Sequence, residues 1–429
     1  MQNRLFSVIN LLKGDFFLYL YMYSAISVCI YVKLRLRQSS ANIIMKIKAH
    51  ITSISKLSAF FAVSLLIIAP ISNAQELEIT KESAVEIKNG NIATTKVALV
   101  AAGIVLEDLD LIQRISKDIV IRVLAVENVT PGNINDIVQR VAASLSQAVA
   151  ELALAAELNE VETTDAIDAT AQGIVLGAVD EAKEIKANIF TTISASAQGA
   201  TQGAAAAASS NGIDASVAIS AAISGSVTAA ATVSANEDLP LVTTVEAASQ
   251  GSLRTATMSV AGESSAAAQI IINAAASAAV STATTVAVVA AAGDDSIVIA
   301  DVIQAATQGA TSATVVAATE TGIDLEAVVT AVASGSAAGA TEAAQAAGLN
   351  EAIVNTATAQ GAVNGASAGA TEAGLSETES DSLAGNAAEG AVSGATGSGE
   401  EAQSESPVIT PVVTEPEDVT EVNSTAVNA

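Results

Sequence analysis

The sequence predicts an all-α fold: an array of antiparallel Ala/Gly-rich helices made from a unit of about 26 residues, ending in a disordered acidic tail. Three observations predict it. Glycines recur 26 residues apart at Gly173, Gly199, Gly225 and Gly251, and again at Gly309, Gly335 and Gly361. An alanine stands four residues before each: Ala169, Ala195, Ala221, Ala247, Ala305, Ala331 and Ala357. Within a unit the apolar residues fall three and four apart, and short turn sequences separate the units. A fixed period of this length marks a repeat architecture, in which each unit buries its apolar face on its neighbours.

The stretch Leu325 to Asn350 shows the unit most clearly. Asp324 is a natural N-cap, because its carboxylate accepts from free N–H groups of the first turn. Leu325, Val328, Val329, Val332, Gly335, Gly339 and Ala343 lie on one helical face. Gly348 suits the left-handed position after a helix, Leu349 folds back on the last turn, and Asn350 caps the next helix. Thr321-Gly322-Ile323-Asp324 and Asn211-Gly212-Ile213-Asp214 repeat that punctuation. Roughly 22 helical residues make a rod of about 33 Å. A turn this short returns the chain antiparallel to itself. Glycine in a helix interior costs about 1 kcal/mol relative to alanine. Its return at one phase predicts a site where another backbone comes close. Gly173/Gly177, Gly199/Gly203, Gly335/Gly339 and Gly361/Gly365 are small-xxx-small pairs. Ser, Thr, Gln and Glu interrupt every copy, so the expectation is tight packing of water-exposed helices rather than a membrane dimer. Whether a unit is one helix or a pair kinked at its glycine is left open by the sequence.

Taken in order, residues 1–74 differ from the rest. They hold all four tyrosines, five of six phenylalanines, Cys29 and His50. Phe16 to Val32 is an apolar run at the short limit for a membrane span. From Met45, the basic Lys46, Lys48 and Lys56, the apolar core Leu57 to Ile71 and the small residues Ser72-Asn73-Ala74 make a signal-peptide pattern. Translation is expected to start at Met45, with residues 1–44 an over-extended start, or alternatively an N-terminal anchor. Residues 45–74 are then a signal peptide and the mature chain begins at Gln75. Residues 75–158 carry larger apolar side chains and are expected to cap the array, with helices within Ile104–Asn128 and Asn133–Leu158. Residues 159–374 are the array. Its phase slips once, between Gly251 and Gly309, where a helix is expected to run longer before Gly293-Asp294-Asp295. Residues 375–429 read as a disordered acidic tail, from the acids among Ser and Gly and the three prolines of Ser406 to Val419.

Composition excludes much chemistry. After Ala74 the chain has ten of the 18 basic and 44 of the 45 acidic residues, a net charge of about −34, with no Lys or Arg beyond Arg254. Such a charge repels phosphate, and one remaining aromatic, Phe190, offers little base stacking, so nucleic acid is not an expected partner. Cys and His metal sites are unavailable to residues 75–429. Gly365-Ala366-Ser367-Ala368-Gly369 matches a nucleophile-elbow pattern, but the elbow needs a strand-turn-helix setting and a histidine base. Asp294-Asp295 reads as turn chemistry rather than a ligand pair. Asn128-Val129-Thr130 and Asn423-Ser424-Thr425 fit glycosylation sequons, triplets that are frequent by chance. No catalytic, cofactor-binding or metal residue is assigned, and no cofactor is expected.

The function these features point to is a secreted, non-enzymatic structural or interaction repeat protein, a cell-surface, matrix or periplasmic scaffold. Its expected partners are further copies of itself or cell-surface and matrix components, with no small-molecule substrate and no stable membrane insertion after signal cleavage. The alternative rests on a resemblance. Alanine-rich, threonine-bearing exported helices are broadly similar to the helical antifreeze proteins, which present a flat Ala/Thr face to ice. Here Thr170, Thr228, Thr255 and Thr282 fall in different columns relative to the central glycines, which argues against a regular ice-binding plane.

Overall fold

The structure, a computed structural model, describes residues 79–397 except Glu127 and Asp295. The expected start at Met45, the signal peptide 45–74, the cleavage before Gln75 and the residues from 398 onward lie outside the described residues. Within them the chain is all-helical, with 13 helices and no strand. Two short helices come first, α1 Lys81–Lys88 and α2 Ile92–Ala101. The expected amphipathic helices of the N-terminal region follow as α3 Leu109–Leu124 and α4 Ile134–Ala155. Then come α5 Glu160–Glu184, α6 Ile189–Asn211, α7 Ala215–Glu237 and α8 Leu241–Ser259. The chain continues as α9 Ser265–Ala291, α10 Ile299–Thr321, α11 Leu325–Ala347, α12 Glu351–Glu372 and α13 Glu377–Gly397.

Local chemistry sets these boundaries. Asp324 Oδ1 accepts from the Ala327 N–H at 3.2 Å and Asn350 Oδ1 from Ala352 at 3.0 Å, so two orphan donors of α11 and α12 are satisfied. Asn159 and Glu162 form a reciprocal capping box at the start of α5. Gly348 closes α11 with φ +67°, and the Leu349 N–H donates to Ala344 O at 2.9 Å. Each of the seven spaced glycines lies inside a different helix, one to each of α5–α8 and α10–α12, and none of these helices is interrupted at its glycine.

The helices pack in two rows, since each from α2 onward associates most with a helix two places away in the chain. Odd-numbered helices from α3 to α13 form one row and even-numbered helices from α2 to α12 the other, while consecutive helices join the rows. The glycines make the contacts within a row. A Cβ at Gly335 of α11 would lie under 3.0 Å from the Asn273 carbonyl oxygen of α9, and one at Gly339 equally close to Ser277. Gly199 and Gly203 of α6 press likewise on Gln139 and Ala143 of α4. Advancing four residues on one helix advances four on its partner, so helices within a row run in the same direction. Only glycine admits this approach, because any Cβ would overlap backbone rather than a side chain that could turn aside. Ion pairs follow the same topology: Lys96–Glu151, Lys117–Asp180 at 2.8 Å, Lys183–Glu237 and Arg254–Glu320 at 2.6 Å each join helices two apart.

Larger side chains fill the space between rows. Val328, Val329 and Val332 of α11 are buried as expected, with Gly335, Gly339 and Ala343, while Leu325 is half-buried. At the N-terminal end Ile112, Ile119, Val123, Leu124, Ile134 and Leu145 form a bulkier core, which Ile87 of α1 and Leu99 of α2 complete. The helix α9 carries no glycine, is the longest of the described helices at 27 residues, and accounts for the phase slip. It meets α7 through side chains, with Ser224 Oγ 3.1 Å from Thr282 Oγ1. By length and hydropathy α7 and α9 could each cross a membrane; both also bury residues against their row neighbours.

One expectation is corrected. Residues 377–397, read from composition as the start of a disordered tail, form α13. Ser376 and Glu379 cap it reciprocally, the Glu379 carboxylate accepting from the Ser376 N–H at 2.8 Å. Leu383, Ala387 and Ala391 are buried, and Gly390 and Gly394 press on Thr330 and Ser334 of α11. Within this helix Glu377, Glu379, Asp381 and Glu389 are exposed, where they are hydrated at no cost to packing.

Candidate functional site

Because the even-row helices run in the same direction, their N-terminal halves lie side by side. An open groove of about 430 Å³ crosses the first turns of α4, α6 and α8. Local capping sets its walls. Asn188 Oδ1 accepts from the Phe190 and Thr191 N–H groups at 3.0 and 3.3 Å, which holds both residues in the first turn of α6. Asn135, Asp136 and Gln139 line the groove from α4. Ser194 and Gln198, one turn apart, line it from α6, and Thr243, Glu246 and Gln250 from α8. Phe190, the one aromatic residue among those described, supplies the apolar surface.

The polar groups differ in how far the protein satisfies them. Asn135 Oδ1 accepts from the buried Thr192 hydroxyl at 3.1 Å, and Gln198 donates to Ser194 Oγ at 3.4 Å. Among the described residues, the side chains of Gln139, Glu246 and Gln250 have no hydrogen-bond partner. Burial pushes the Glu246 carboxyl above its ordinary range. No Lys, Arg or His lines the groove, so its fixed charge is negative.

The odd row has a smaller counterpart, about 240 Å³, between α3 and α5. Here the polar groups satisfy one another. Gln113 Nε2 donates to Gln172 Oε1 at 3.2 Å, and Gln172 donates to Asp168 Oδ1 at 2.5 Å. Burial raises the Asp168 carboxyl and the Asp165 charge adds to it, while the Gln172 bond opposes both. Among the described residues no three Asp or Glu side chains converge as a metal ion would require.

The motifs singled out by sequence fall elsewhere. Ser367 lies within α12, and Gly365 and Gly369 pack on Gln308 and Ser312 of α10, so the G-x-S-x-G match is a helix–helix contact and not a strand-to-helix elbow. Asp294 accepts from the Ser296 N–H at 2.9 Å, which is turn chemistry. Asn128 is exposed with φ +77° in the turn before α4, and Asn423 lies outside the described residues. Thr170 and Thr255 are buried, and Thr282 is bonded to Ser224, so these threonines form no exposed plane. The groove residues were missed by sequence reasoning. A signal existed: glutamine directly precedes the spaced glycine at Gln172, Gln198, Gln250, Gln308 and Gln360. That column lies beside the backbone contact, at the edge of the row.

No known protein family is matched by the sequence, and no curated protein and no solved structure shows significant similarity to the chain.

Proposed function

We propose that the protein is an exported, non-enzymatic scaffold whose residues 159–374 are an antiparallel array of Ala/Gly-rich helical repeats, acting through its surface on further copies of itself or on cell-surface and matrix components. The observation that carries this reading is the glycine contact recurring at one phase of the sequence. It ties α5–α8 and α10–α13 each to the helix two places earlier in the chain, so similar columns of polar side chains are offered again and again along a row. Export is supported by the basic, apolar and small-residue pattern of residues 45–74. A non-enzymatic role is supported by the lack of His and Cys after His50, which removes the commonest general base and the strongest nucleophile.

Cell fractionation with intact-mass measurement tests the reading. The exported form is expected to begin at Gln75 and to be nearly transparent at 280 nm, because no Tyr or Trp follows Ala74. Recovery of the protein only from cytosol, with its tyrosines retained, would overturn it.

A further inference from the structure

We propose that the groove across α4, α6 and α8 is a binding site for an uncharged saccharide chain, an inference about ligand chemistry that goes beyond the scaffold reading and does not depend on export. The chemistry of the lining selects the ligand. Planar amides at Gln139 and Gln250 each offer a donor pair and an acceptor, the pattern that matches neighbouring hydroxyls of a sugar ring. Both amides lack partners among the described residues, so ligand hydroxyls would not have to displace an internal bond. Glu246 adds a half-buried carboxyl whose oxygens can accept from ligand hydroxyls. Phe190 is the one aromatic residue lining the groove, and aromatic rings attract the polarised C–H groups of a sugar.

Other ligand classes fit less well. Phosphate, sulfate and uronate groups would meet Asp136 and Glu246 with no cation to receive them. An apolar ligand would bury the unpartnered amides at a cost of about 1–3 kcal/mol each. The groove is open at its mouth and runs across three parallel helices, so a linear chain can enter with its ends in solvent. The self-satisfied cavity between α3 and α5 shows the contrast: there the equivalent glutamines are bonded to each other and offer nothing to a ligand.

Isothermal titration calorimetry of the full chain with hexasaccharides tests the site, using cellohexaose, maltohexaose and mannohexaose beside hexagalacturonate and a chitosan hexamer. At least one neutral hexasaccharide is expected to bind. Phe190→Leu and Gln250→Ala should each weaken it by about tenfold or more, a loss of about 1.4 kcal/mol. Gln250 is exposed, so its truncation leaves the fold intact even if the Phe190 variant is destabilised. Gln360→Ala, the same column in α12 outside the groove, should leave binding unchanged. Absence of neutral binding at millimolar ligand, binding confined to charged hexamers, or equal losses in the Gln250 and Gln360 variants would each overturn the proposal.

Discussion

Gly335 and Gly385 are both helical glycines, yet their surroundings give the same substitution opposite signs. A Cβ at Gly335 would overlap the Asn273 backbone of α9, whereas one at Gly385 of α13 meets nothing within 4 Å. Gly335→Ala should therefore force two helices apart and cost about 1–3 kcal/mol. Gly385→Ala should stabilise by up to about 1 kcal/mol, the ordinary gain in helix propensity. Thermal melts followed by circular dichroism check both, and shifts of the same sign would contradict the packing described. The need for glycine at the recurring position was legible in the sequence, because a repeated residue that disfavours helix must be compensated. The identity of the opposing residue was not, since Asn273 is 62 positions away and belongs to no motif.

At the scale of elements, α13 shows how composition misleads. Its acids and glycines resemble those of a disordered tail, but Ser376 and Glu379 are spaced as a capping box and Leu383, Ala387 and Ala391 fall on one face. Leu383→Asp would place an unpaired carboxylate in the contact that α13 makes with the preceding helices. The expected outcome is selective loss of α13, seen as new protease cleavage within 377–397 while the rest of the helical signal melts normally. Resistance to cleavage equal to that of the unaltered chain would show that α13 does not depend on this contact. The groove was less legible than the helices. Phe190 was visible as a lone aromatic, and the glutamines as a column, but nothing local places α4, α6 and α8 side by side.

For the molecule as a whole, the two-row packing makes helix pairs the unit of exchange. Excising 299–350, which removes α10 and α11 together, leaves α12 on the even row and α13 on the odd row. Excising only 324–349 moves every later helix to the wrong row and sets Gly361 against partners it was not matched to. The pair deletion should melt cooperatively near the parent temperature, and the single deletion well below it. Charge supplies a second prediction. Burial raises the carboxyls of Asp168, Glu181 and Glu246, with the Glu184 charge adding at Glu181. A group whose pKa is higher folded than unfolded holds its proton more tightly when folded, so stability is gained as pH falls through the raised value. Asp214 and Glu379, held low by hydrogen bonds from Ser216 and Ser376, act in the opposite sense, and only below the ordinary carboxylate range. The melting temperature should therefore rise from pH 7.5 to pH 5. Added salt at pH 7.5 should raise it as well, by screening the excess of acids. A fall on acidification over that interval would contradict the burial of these carboxyls.

By itself the sequence determined where the helices between 134 and 372 start, stop and bury. Caps such as Asp324 and Gly348 act within a few residues, and an apolar face spaced by three and four needs only the helix's own geometry to form. The same locality explains why residues 75–429 exclude histidine and cysteine chemistry whatever the fold. Tertiary structure alone decided which helices are neighbours. The close contacts join residues some 57 to 63 positions apart, through carbonyl oxygens that every residue possesses and no motif distinguishes. The groove is a product of that choice. Its amides, its carboxyls and Phe190 come from three helices that meet only because glycine lets the even row close, backbone against backbone.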